Sequence, residues 1–489
     1  MVNWIRLRDT AVVHTADGGE TLLLGPSHRA SLGTLTPVQQ AVLKQLADGD
    51  CGSEALLADA VAQGAARGLR EAYGLLARLR LGDWLCVTLA YDGRPLLTIC
   101  PSGTPAGSDD RCASDIVADA LTGVAGDVSE TLVLSRFAVL RRHADGPLLE
   151  SPLSRFGVHL HEPALLEVLG ELARPRPTTD LPVPAALGPD AVAAAVRALV
   201  AGGFVVAAGS AEDTDPAMLQ WSPHELWFHA RSRQGRHDAP WGATYWARGR
   251  FDPLPASRAP ATTAPALALP VPDLFAATAH EPGLTEIMEA RRSLRRHDDA
   301  APLRLAQLGE FLYRTARTRR TWALDGVELA DRPYPSGGAL HELEVYPVVG
   351  LVAGLASGLY RYDGQAHQLE QVAGGIPPVR QLLSRAAGSA AMTAPPQVLF
   401  VITARFGRVM WKYESMAYAL ILKNVGALMA AMYNVATAMG LAPCALGGGD
   451  ADLFGRATGL DYLTESSVGE FVLGSAAPTV TTGAHQGRE

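Results

Sequence analysis

The chain has 489 residues, of which 48% are hydrophobic and 19% charged, so it can bury large cores and does not have the composition of a disordered chain. At roughly 150 residues per domain, this length predicts about three domains. The net charge of −8, from 42 basic and 50 acidic residues, argues against a generic binder of nucleic acids or anionic membranes, which usually has a basic surface.

The cysteines and the N-terminus predict a cytoplasmic protein. Five cysteines form no CxxC pair, and an odd number in a long chain argues against a disulfide framework. The first residues, Met1-Val-Asn-Trp-Ile-Arg, contain no apolar signal core. Lysine is rare: it occurs only at positions 44, 412 and 423, and the other 39 basic residues are arginine.

The N-terminal half contains two similar successions of predicted elements. The first, 1–105, begins with strands around the turn Ala16-Asp-Gly-Gly. Thr36 then caps a helix that starts at Pro37, and further helices over 53–62 and 69–80 lead into a strand after Asp83. The second, 106–215, begins its first strand at Thr131, turns at Ala144-Asp-Gly-Pro, and continues with a strand, two helices and a closing strand.

A short sheet followed by helices and a strand is the order of a winged-helix unit, and three roles fit it. DNA binding is disfavoured because neither unit has a basic recognition helix. The others are a structural module and capture of an extended peptide as an added strand. Periodicity alone does not choose among them.

The segment 216–270 is predicted to be a linker. It is dense in His, Arg and Trp up to His237 and then rich in Pro, Ala and Thr, which is typical of an extended connector. His224 and His229 are five residues apart and lack a third nearby ligand. We therefore expect no metal site.

The remaining residues, 271–489, form the predicted C-terminal domain. It mixes helices with strands such as Gln397-Val-Leu-Phe-Val-Ile-Thr-Ala404, so the expected fold class is α+β. The stretch 415–441 is apolar almost all round, but Lys423, Asn424 and Asn434 interrupt it. A buried core or interface helix therefore fits better than a transmembrane helix.

Two motifs in this domain could bind an anionic ligand. Ala290-Arg-Arg-Ser-Leu-Arg-Arg-His297 gathers four arginines whose repulsion a phosphate would relieve, and its serine adds a hydroxyl. A solvated basic cluster at a helix C-terminus is the alternative. The turn Pro335-Ser-Gly-Gly exposes backbone N–H groups to a ligand, although an ordinary loop has the same composition.

Two further motifs flank the apolar helix. Lys412 and Tyr413 precede it, and either side chain can donate or accept a proton, although such a pair can also be structural. Ala445-Leu-Gly-Gly-Gly-Asp450 follows it, and its glycines permit close approach to a flat ring or a phosphate. A plain loop is the alternative interpretation.

In order and spacing, the four motifs together resemble the FMN-dependent nitroreductase superfamily, and most closely its SagB-type branch, the thiazole/oxazole-forming peptide oxidases. The resemblance covers about Pro272 to Gly474 and extends upstream through Glu225-Leu-Trp-Phe-His-Ala-Arg-Ser-Arg-Gln-Gly-Arg-His237. It implies a nitroreductase-like FMN domain, preceded by the two winged-helix-like units, in a homodimer interlocked through the long helix.

The resemblance also implies the residues of the flavin site. The FMN phosphate and ribityl chain would be bound by Arg291, Arg292, Ser293 and Arg295. The isoalloxazine ring would be bordered, often from the second subunit, by Pro335, Ser336, Gly337, Gly338, Ala339 and Leu340. The other side of the flavin would face Leu446, Gly447 and Gly448.

The implied reaction is oxidation of thiazoline or oxazoline rings in a ribosomally synthesised precursor peptide, in the biosynthesis of thiazole/oxazole-modified peptides such as thiopeptides. Lys412 and Tyr413 match the branch's proton-transfer pair, without indicating which is the base. Oxygen would reoxidise the flavin, since no GxGxxG fingerprint follows a strand. The N-terminal units, the second above all, would recognise the leader peptide or scaffold a complex with a cyclodehydratase.

The sequence departs from the family pattern in two places. The central helix reads Val425-Gly-Ala-Leu-Met-Ala-Ala-Met-Tyr433, so we expect no polar contact there. A late basic flavin contact is not evident after Gly474. Two alternative functions stay open, an NAD(P)H-dependent nitro or flavin reductase and a non-catalytic scaffold of the modifying complex.

Overall fold

The computed structural model describes residues 1–26, 28–104, 111–122, 131–258, 266–373 and 376–478. The chain divides into two compact units, Met1–Pro240 and Trp241–Glu489. Each unit has its own hydrophobic core. Both mix helices with sheets, and the second carries the four motifs, so the expected α+β class is confirmed.

The first unit is built from strands and helices. Its strands are β1 (Val2–Leu7), β2 (Val12–Thr15), β3 (Glu20–Leu24), β4 (Arg29–Thr34), β5 (Cys51–Gly52), β6 (Leu85–Tyr91), β7 (Arg94–Pro101), β8 (Thr131–Leu134), β9 (Val139–His143), β10 (Gly146–Glu150), β11 (Phe156–Leu160), β12 (Arg176–Pro177) and β13 (Val205–Ala207). Its helices are α1 (Pro37–Asp48), α2 (Ser53–Leu81), α3 (Ala113–Thr122), α4 (Leu165–Glu171), α5 (Pro189–Ala201), α6 (Ala211–Thr214), α7 (Pro216–Leu219) and α8 (Pro223–Arg231).

Local sequence signals explain the helices of this unit. The Thr36 hydroxyl accepts a hydrogen bond from the Gln39 N–H, and the Gln39 side chain binds back to the Thr36 N–H, which forms a capping box at the start of α1. Non-helical dihedral angles at Gly64 and Ala65 divide α2 into two segments. The predicted cap and the two predicted helices after α1 are therefore confirmed.

Strands from both predicted winged-helix-like units join in one sheet. Its order is β5-β1-β6-β7-β11-β10-β9, and β7 pairs with β11 through Leu97 opposite Leu160. Smaller three-stranded sheets are β2-β3-β4 and β12-β8-β13. The segment predicted as a linker contains α7, α8 and two short strands, Gly242–Ala243 and Leu267–Ala268. The boundaries at 105, 215 and 270 stay predictions.

One disulfide, which the cysteine spacing did not indicate, joins Cys86 to Cys100 with a Cα–Cα distance of 4.3 Å. Antiparallel pairing of Val87 with Ile99 places the two cysteines opposite each other on β6 and β7. The expectation of no disulfide framework was drawn from the number of cysteines and the absence of CxxC pairs, which carry no information about strand register.

The second unit contains the four motifs. Its strands are β14 (Gly242–Ala243), β15 (Leu267–Ala268), β16 (Arg320–Leu324), β17 (Val327–Asp331), β18 (Leu343–Val349), β19 (Gly358–Asp363), β20 (Gln368–Ala373), β21 (Val398–Arg405), β22 (Tyr413–Glu414), β23 (Leu441–Leu446) and β24 (Glu465–Ser475). Its helices are α9 (Leu274–Thr278), α10 (Leu284–Ala290), α11 (Leu305–Ala316), α12 (Ile376–Ser389), α13 (Phe406–Met410), α14 (Ala417–Ala438) and α15 (Ala451–Thr458).

The main sheet of this unit has the order β15-β20-β19-β18-β21-β24-β23. Every residue of β21 is buried, as its apolar sequence predicts for a central strand. α14 packs against this sheet and buries Ile421, Val425, Leu428 and Met432. Within the described residues, α14 alone is long and apolar enough to cross a membrane by length and composition, and 33% of its apolar window is buried inside the protein.

Candidate active site

The Pro-Ser-Gly-Gly turn lies between β17 and β18 and is fastened to α14. The Gly337 N–H donates a hydrogen bond to Asn424 Oδ1 at 3.1 Å, and Asn424 Nδ2 donates to Ser336 Oγ at 3.2 Å. The Ser336 hydroxyl also accepts from the His341 N–H at 3.1 Å. One buried asparagine therefore fixes the turn on which the flavin ring was predicted to rest.

Lys412 and Tyr413 converge on this turn. Gly338 adopts φ +66°, and a Cβ placed there would lie 2.7 Å from Tyr413 Oη and 3.2 Å from Lys412 Nζ. The Lys412 ammonium also lies 5.2 Å from the ring centroids of both Tyr413 and Tyr245, within the range of a cation–π contact. The structure thus brings the predicted proton-transfer pair to the predicted ring-binding turn.

Tyr245 is a neighbour of this pair that sequence reasoning missed. Its backbone N–H donates to the Lys412 carbonyl at 3.0 Å, and β14 pairs with β22 through Ala243 opposite Tyr413. Tyr245 belongs to the segment predicted as a linker, more than 160 residues before the lysine. No local pattern indicated this strand pairing.

The turn is also held by a buried carboxyl group, that of Glu342. Glu342 is fully buried and accepts hydrogen bonds from Asn424 Nδ2 at 2.9 Å and from Ser336 Oγ at 3.3 Å. Burial raises the pKa of Glu342, and the hydrogen bonds from Asn424 and Ser336 and the charge of Arg332 oppose the rise. The sequence analysis missed Glu342 because its partner, Asn424, lies 82 residues away and no sequence pattern links the two.

The arginine motif lies farther along α14. Leu294 N–H donates to the Pro443 carbonyl at 2.8 Å, so the motif runs beside β23. Ser293 Oγ and Tyr433 Oη share a hydrogen bond of 2.7 Å, and the Arg291 guanidinium lies 5.2 Å above the Tyr433 ring. The side chains of Arg291, Arg292, Arg295 and Arg296 are exposed. Exposed guanidinium groups in such number suit an anionic ligand.

The expectation of no polar contact in the central helix was wrong. Tyr433 Oη, besides its bond to Ser293, accepts a hydrogen bond from the Ala445 N–H at 2.8 Å. Asn424, one residue before the stretch considered, fastens the glycine turn. The stretch appears apolar because its single hydroxyl lies at its last residue, where the sequence does not show which partner it reaches.

The glycine loop after β23 borders a cavity of about 660 Å³, lined by Leu446 and Gly448 among others. A Cβ built at Gly447 or Gly448 would meet nothing within 4 Å, so the backbone there is open to a ligand. Ser389 Oγ donates to the Gly448 carbonyl at 3.2 Å. Neither Gly338 nor Ser293 lines this cavity in the described part of the chain.

In the single chain the arginine motif and the glycine loop meet at the Tyr433 hydroxyl, whereas the glycine turn is fastened to Asn424. Asn424 and Tyr433 are nine residues apart, or about 13 Å along a helix. The groups nevertheless fit FMN in chemical terms. Arginines and a serine suit a phosphate, and the open backbone at Gly447 and Gly448 suits a flat ring.

Two family models match the chain. Residues 132–238 match the cyanobactin oxidase ThcOx model, and residues 288–475 match the nitroreductase family model. The second range contains all four motifs. The first contains the 225–237 segment. The chain thus carries a cyanobactin-oxidase-type region followed by a nitroreductase-family domain.

Individual relatives agree with these matches. The MJ1384 protein of Methanocaldococcus jannaschii, which is named as a nitroreductase, is 27% identical over 166 residues, 34% of this chain and 78% of its own. The Escherichia coli McbBCD microcin synthetase complex, solved with truncated pro-MccB17 bound, is 20% identical, with 47% and 90% of the two chains covered and a TM-score of 0.34.

A nitroreductase-type protein from Exiguobacterium sibiricum, solved in complex with FMN, is 13% identical, with 42% and 93% coverage and a TM-score of 0.30. At these TM-scores the structural likenesses add no weight to the family matches.

Proposed function

We propose that this chain, an oxidoreductase whose residues 288–475 form a nitroreductase-family domain, is an FMN-dependent azoline dehydrogenase. Its substrate would be a ribosomally synthesised precursor peptide whose thiazoline or oxazoline rings it oxidises to thiazoles or oxazoles. The cyanobactin-oxidase-type region in the same chain supports peptide modification rather than reduction of small molecules.

One observation carries the proposal, namely the convergence of Lys412 Nζ and Tyr413 Oη on the glycine turn at Gly338. Oxidation of an azoline removes a carbon-bound proton and a hydride. A base within hydrogen-bond reach of the ring carbon is therefore required. The Lys412 and Tyr413 side chains beside this turn supply a proton acceptor. A loop that only binds flavin does not need one.

In the proposed mechanism, the protein's residues bind and orient the reactants. Arg291, Arg292, Ser293 and Arg295 would hold the FMN phosphate and ribityl chain. The turn at Gly337 and Gly338 would border one side of the ring, and Leu446, Gly447 and Gly448 would face its other side. FMN, when bound, supplies the hydride acceptor, with dioxygen as the final oxidant.

The proton is transferred to this chain's own side chains. Either the Lys412 or the Tyr413 side chain would take it from the ring carbon next to the peptide carbonyl. Tyr245, stacked below the Lys412 ammonium, would fix its position, and the Asn424–Glu342 pair would hold the turn that faces it. Each oxidised ring loses two hydrogens, one as this proton and one as hydride.

The first unit would hold the peptide. Its second winged-helix-like segment overlaps the matched residues 132–238, which supports a role in leader-peptide capture. Capture raises the local concentration of the azoline at the flavin site. We further propose a cytoplasmic enzyme with a cyclodehydratase partner that supplies the azolines.

A homodimer would assemble the flavin site. In one chain the glycine turn is fastened to Asn424 and the arginine motif to Tyr433, farther along α14, so the glycine turn of one subunit would meet the arginine motif of the other. Exposed apolar side chains of α14, Tyr418 and Leu422, support such an interface because they are 39% and 38% exposed in the single chain.

Mass spectrometry of an azoline-bearing precursor peptide tests the proposal. Incubation with full-length protein, FMN and air should remove two hydrogens per ring. Lys412→Ala and Tyr413→Phe should each lower the rate at least about 100-fold, the usual contribution of a general base. Gly338→Ala should also lower it, since its Cβ would displace Tyr413 Oη.

Gly388→Ala is the matched control, because nothing lies within 4 Å of the added Cβ on α12. Unchanged azolines with a flavin-loaded wild type would refute the proposal. Consumption of NADPH with a nitroarene would then identify the reductase alternative, which the nitroreductase family match favours. A protein that binds leader peptide but no flavin would be a scaffold.

A further inference from the structure

One face of the seven-stranded sheet in the first unit is polar and lies outside its hydrophobic core. Its alternating positions carry Arg6, Thr88, Thr98 and His159. Cavities of about 450 and 530 Å³ open on this face, and Asp145 and His159 line both of them. The proposed oxidation uses none of these side chains.

A tight hairpin brings a histidine and an aspartate together at the edge of this face. β9 ends at His143 and β10 begins at Gly146, whose φ of +114° suits glycine. The Asp145 N–H donates to His143 Nδ1 at 3.4 Å, and an Asp145 carboxylate oxygen lies 3.3 Å from the same nitrogen. The two side chains therefore lie on the same side of the hairpin.

His159, on β11, completes the cluster. Its ring lies edge-on to that of His143, with 5.1 Å between centroids. The side chain is only 8% exposed, and its Nδ1 has no hydrogen-bond partner among the described residues. A buried nitrogen left without a partner destabilises a fold, so a ligand for it is expected.

The charge of Arg6, on the same face of the sheet as His159, bears on whether a cation can bind here. Arg6 is ion-paired with Asp9, and its guanidinium lies 3.7 Å from an Asp50 oxygen. Its positive charge is thereby offset.

We propose that His143, Asp145 and His159 bind a divalent transition-metal ion of the Zn²⁺ type. One ligand atom from each lies within 4.8 Å of the others. Tetrahedral Zn²⁺ ligands lie about 3.4 Å apart, so the more exposed His143 and Asp145 side chains would close by about 1 Å. Two nitrogens and one oxygen suit Zn²⁺ better than Mg²⁺ or Ca²⁺.

The site leaves a fourth position open toward the cavities for water or another ligand. The ion would also tie the β9–β10 turn to β11. The sequence analysis expected no metal site because it considered only nearby ligands. His159 reaches the hairpin residues through strand pairing, which spacing along the chain does not show.

Calorimetric titration tests the site. ZnCl₂ is added to tag-free, EDTA-treated, full-length protein, and MgCl₂ is added in a parallel run. We expect one Zn²⁺ per chain and no Mg²⁺ binding at the same concentrations. His143→Gln and Asp145→Asn should each weaken Zn²⁺ binding at least about tenfold, since even outer contacts of a metal site contribute that much.

His161→Gln is the matched control, because His161 lies on the same face but its Nε2 is hydrogen-bonded to Thr98. It should bind Zn²⁺ as the wild type does. The hairpin variants change partly exposed side chains and should keep the wild-type circular dichroism. The proposal is wrong if the wild type binds no Zn²⁺ at micromolar concentrations, or if all three variants bind it equally.

Discussion

At the scale of single residues, the Pro-Ser-Gly-Gly turn depends on polar groups enclosed by the second unit. Arg332 lies just before the turn, Glu342 just after it and Glu344 in β18, and all three are buried. Arg332 donates to the Leu343 carbonyl at 2.6 Å. Buried charges are tolerated only when paired, so this stretch is held by its electrostatic partners as well as by packing.

His341 gives this network a pH dependence. It is 5% exposed, and burial, together with the charges of Arg332 and Arg408, lowers its pKa to about 3. The unfolded chain binds a proton near pH 6.5, which the folded protein excludes. The contribution of His341 to stability is therefore complete above pH 6.5 and is lost progressively as the pH falls toward 3.

We predict that His341→Asn weakens this dependence. Asparagine tolerates the φ of +45° at this position. Between pH 7.5 and 5.5 the free energy of unfolding should fall by about 1.4 kcal/mol more in the wild type than in the variant. The reason is that the unfolded wild type takes up one proton at His341 over this range and the folded protein does not. Urea unfolding at both pH values measures the difference. The control His280→Asn, at an exposed residue, should behave as the wild type. If the wild type and His341→Asn lose the same unfolding free energy, His341 is not the source of the pH dependence.

At the scale of elements, α14 connects the parts of the proposed flavin site. Asn424, on its N-terminal half, fastens the glycine turn, and Tyr433, on its C-terminal half, fastens the arginine motif and β23. One side of the helix packs into the core, and another leaves apolar side chains exposed. The helix therefore both organises the site and offers a surface for a second subunit.

We predict that Leu422→Lys weakens a homodimer formed through α14. Leu422 is 38% exposed in the single chain, and a lysine buried there without a partner should raise the dimer dissociation constant at least about tenfold. Sedimentation equilibrium measures the constant. Leu463→Lys, at a residue that is 81% exposed and outside α14, is the control. A monomeric wild type, or an unchanged constant, would count against the interface.

At the scale of the whole molecule, the two units keep separate cores. The core of the first contains buried residues between Ile5 and Val205, and the cores of the second contain residues between Ala247 and Leu473. Each unit has its own seven-stranded sheet. A domain with its own core and sheet can in general fold alone.

We predict that fragments 1–240 and 241–489 each fold. Both should unfold cooperatively with heat, as monitored by circular dichroism, because each retains its complete core. The second fragment should bind FMN, and the first should not. A fragment without a cooperative transition would show that its core is insufficient, whatever its flavin content.

Elements that depend on near neighbours were predictable from sequence. The Thr36 cap, the division of α2 at Gly64 and the bounds of α10 all follow from residues a few positions apart. The pairing of β7 with β11 does not, because the two strands are far apart in sequence and many registers satisfy the same alternation. The Cys86–Cys100 bridge depends on register in the same way.

The site shows the same division. The chemistry of Lys412, Tyr413 and the arginine motif could be inferred from residue type and order. Their hydrogen-bond partners could not be inferred, because Ser293 and Tyr433 are 140 positions apart in the sequence. Nor does the sequence show that a carboxylate such as Glu342 is buried. Sequence therefore indicates the candidate groups, and the structure adds which side chains hold them.

The shared sheet of the first unit has a consequence for how the chain emerges from the ribosome. β7 is complete at Pro101, but its partner β11 begins at Phe156. Translation proceeds at about 5–20 residues per second, so the roughly 55 residues up to β11 take about 3–11 s to be made, and the edge of β7 stays unpaired during this time. An unpaired strand edge invites association with other chains. Translation speed between these positions should therefore influence how much protein reaches the native state.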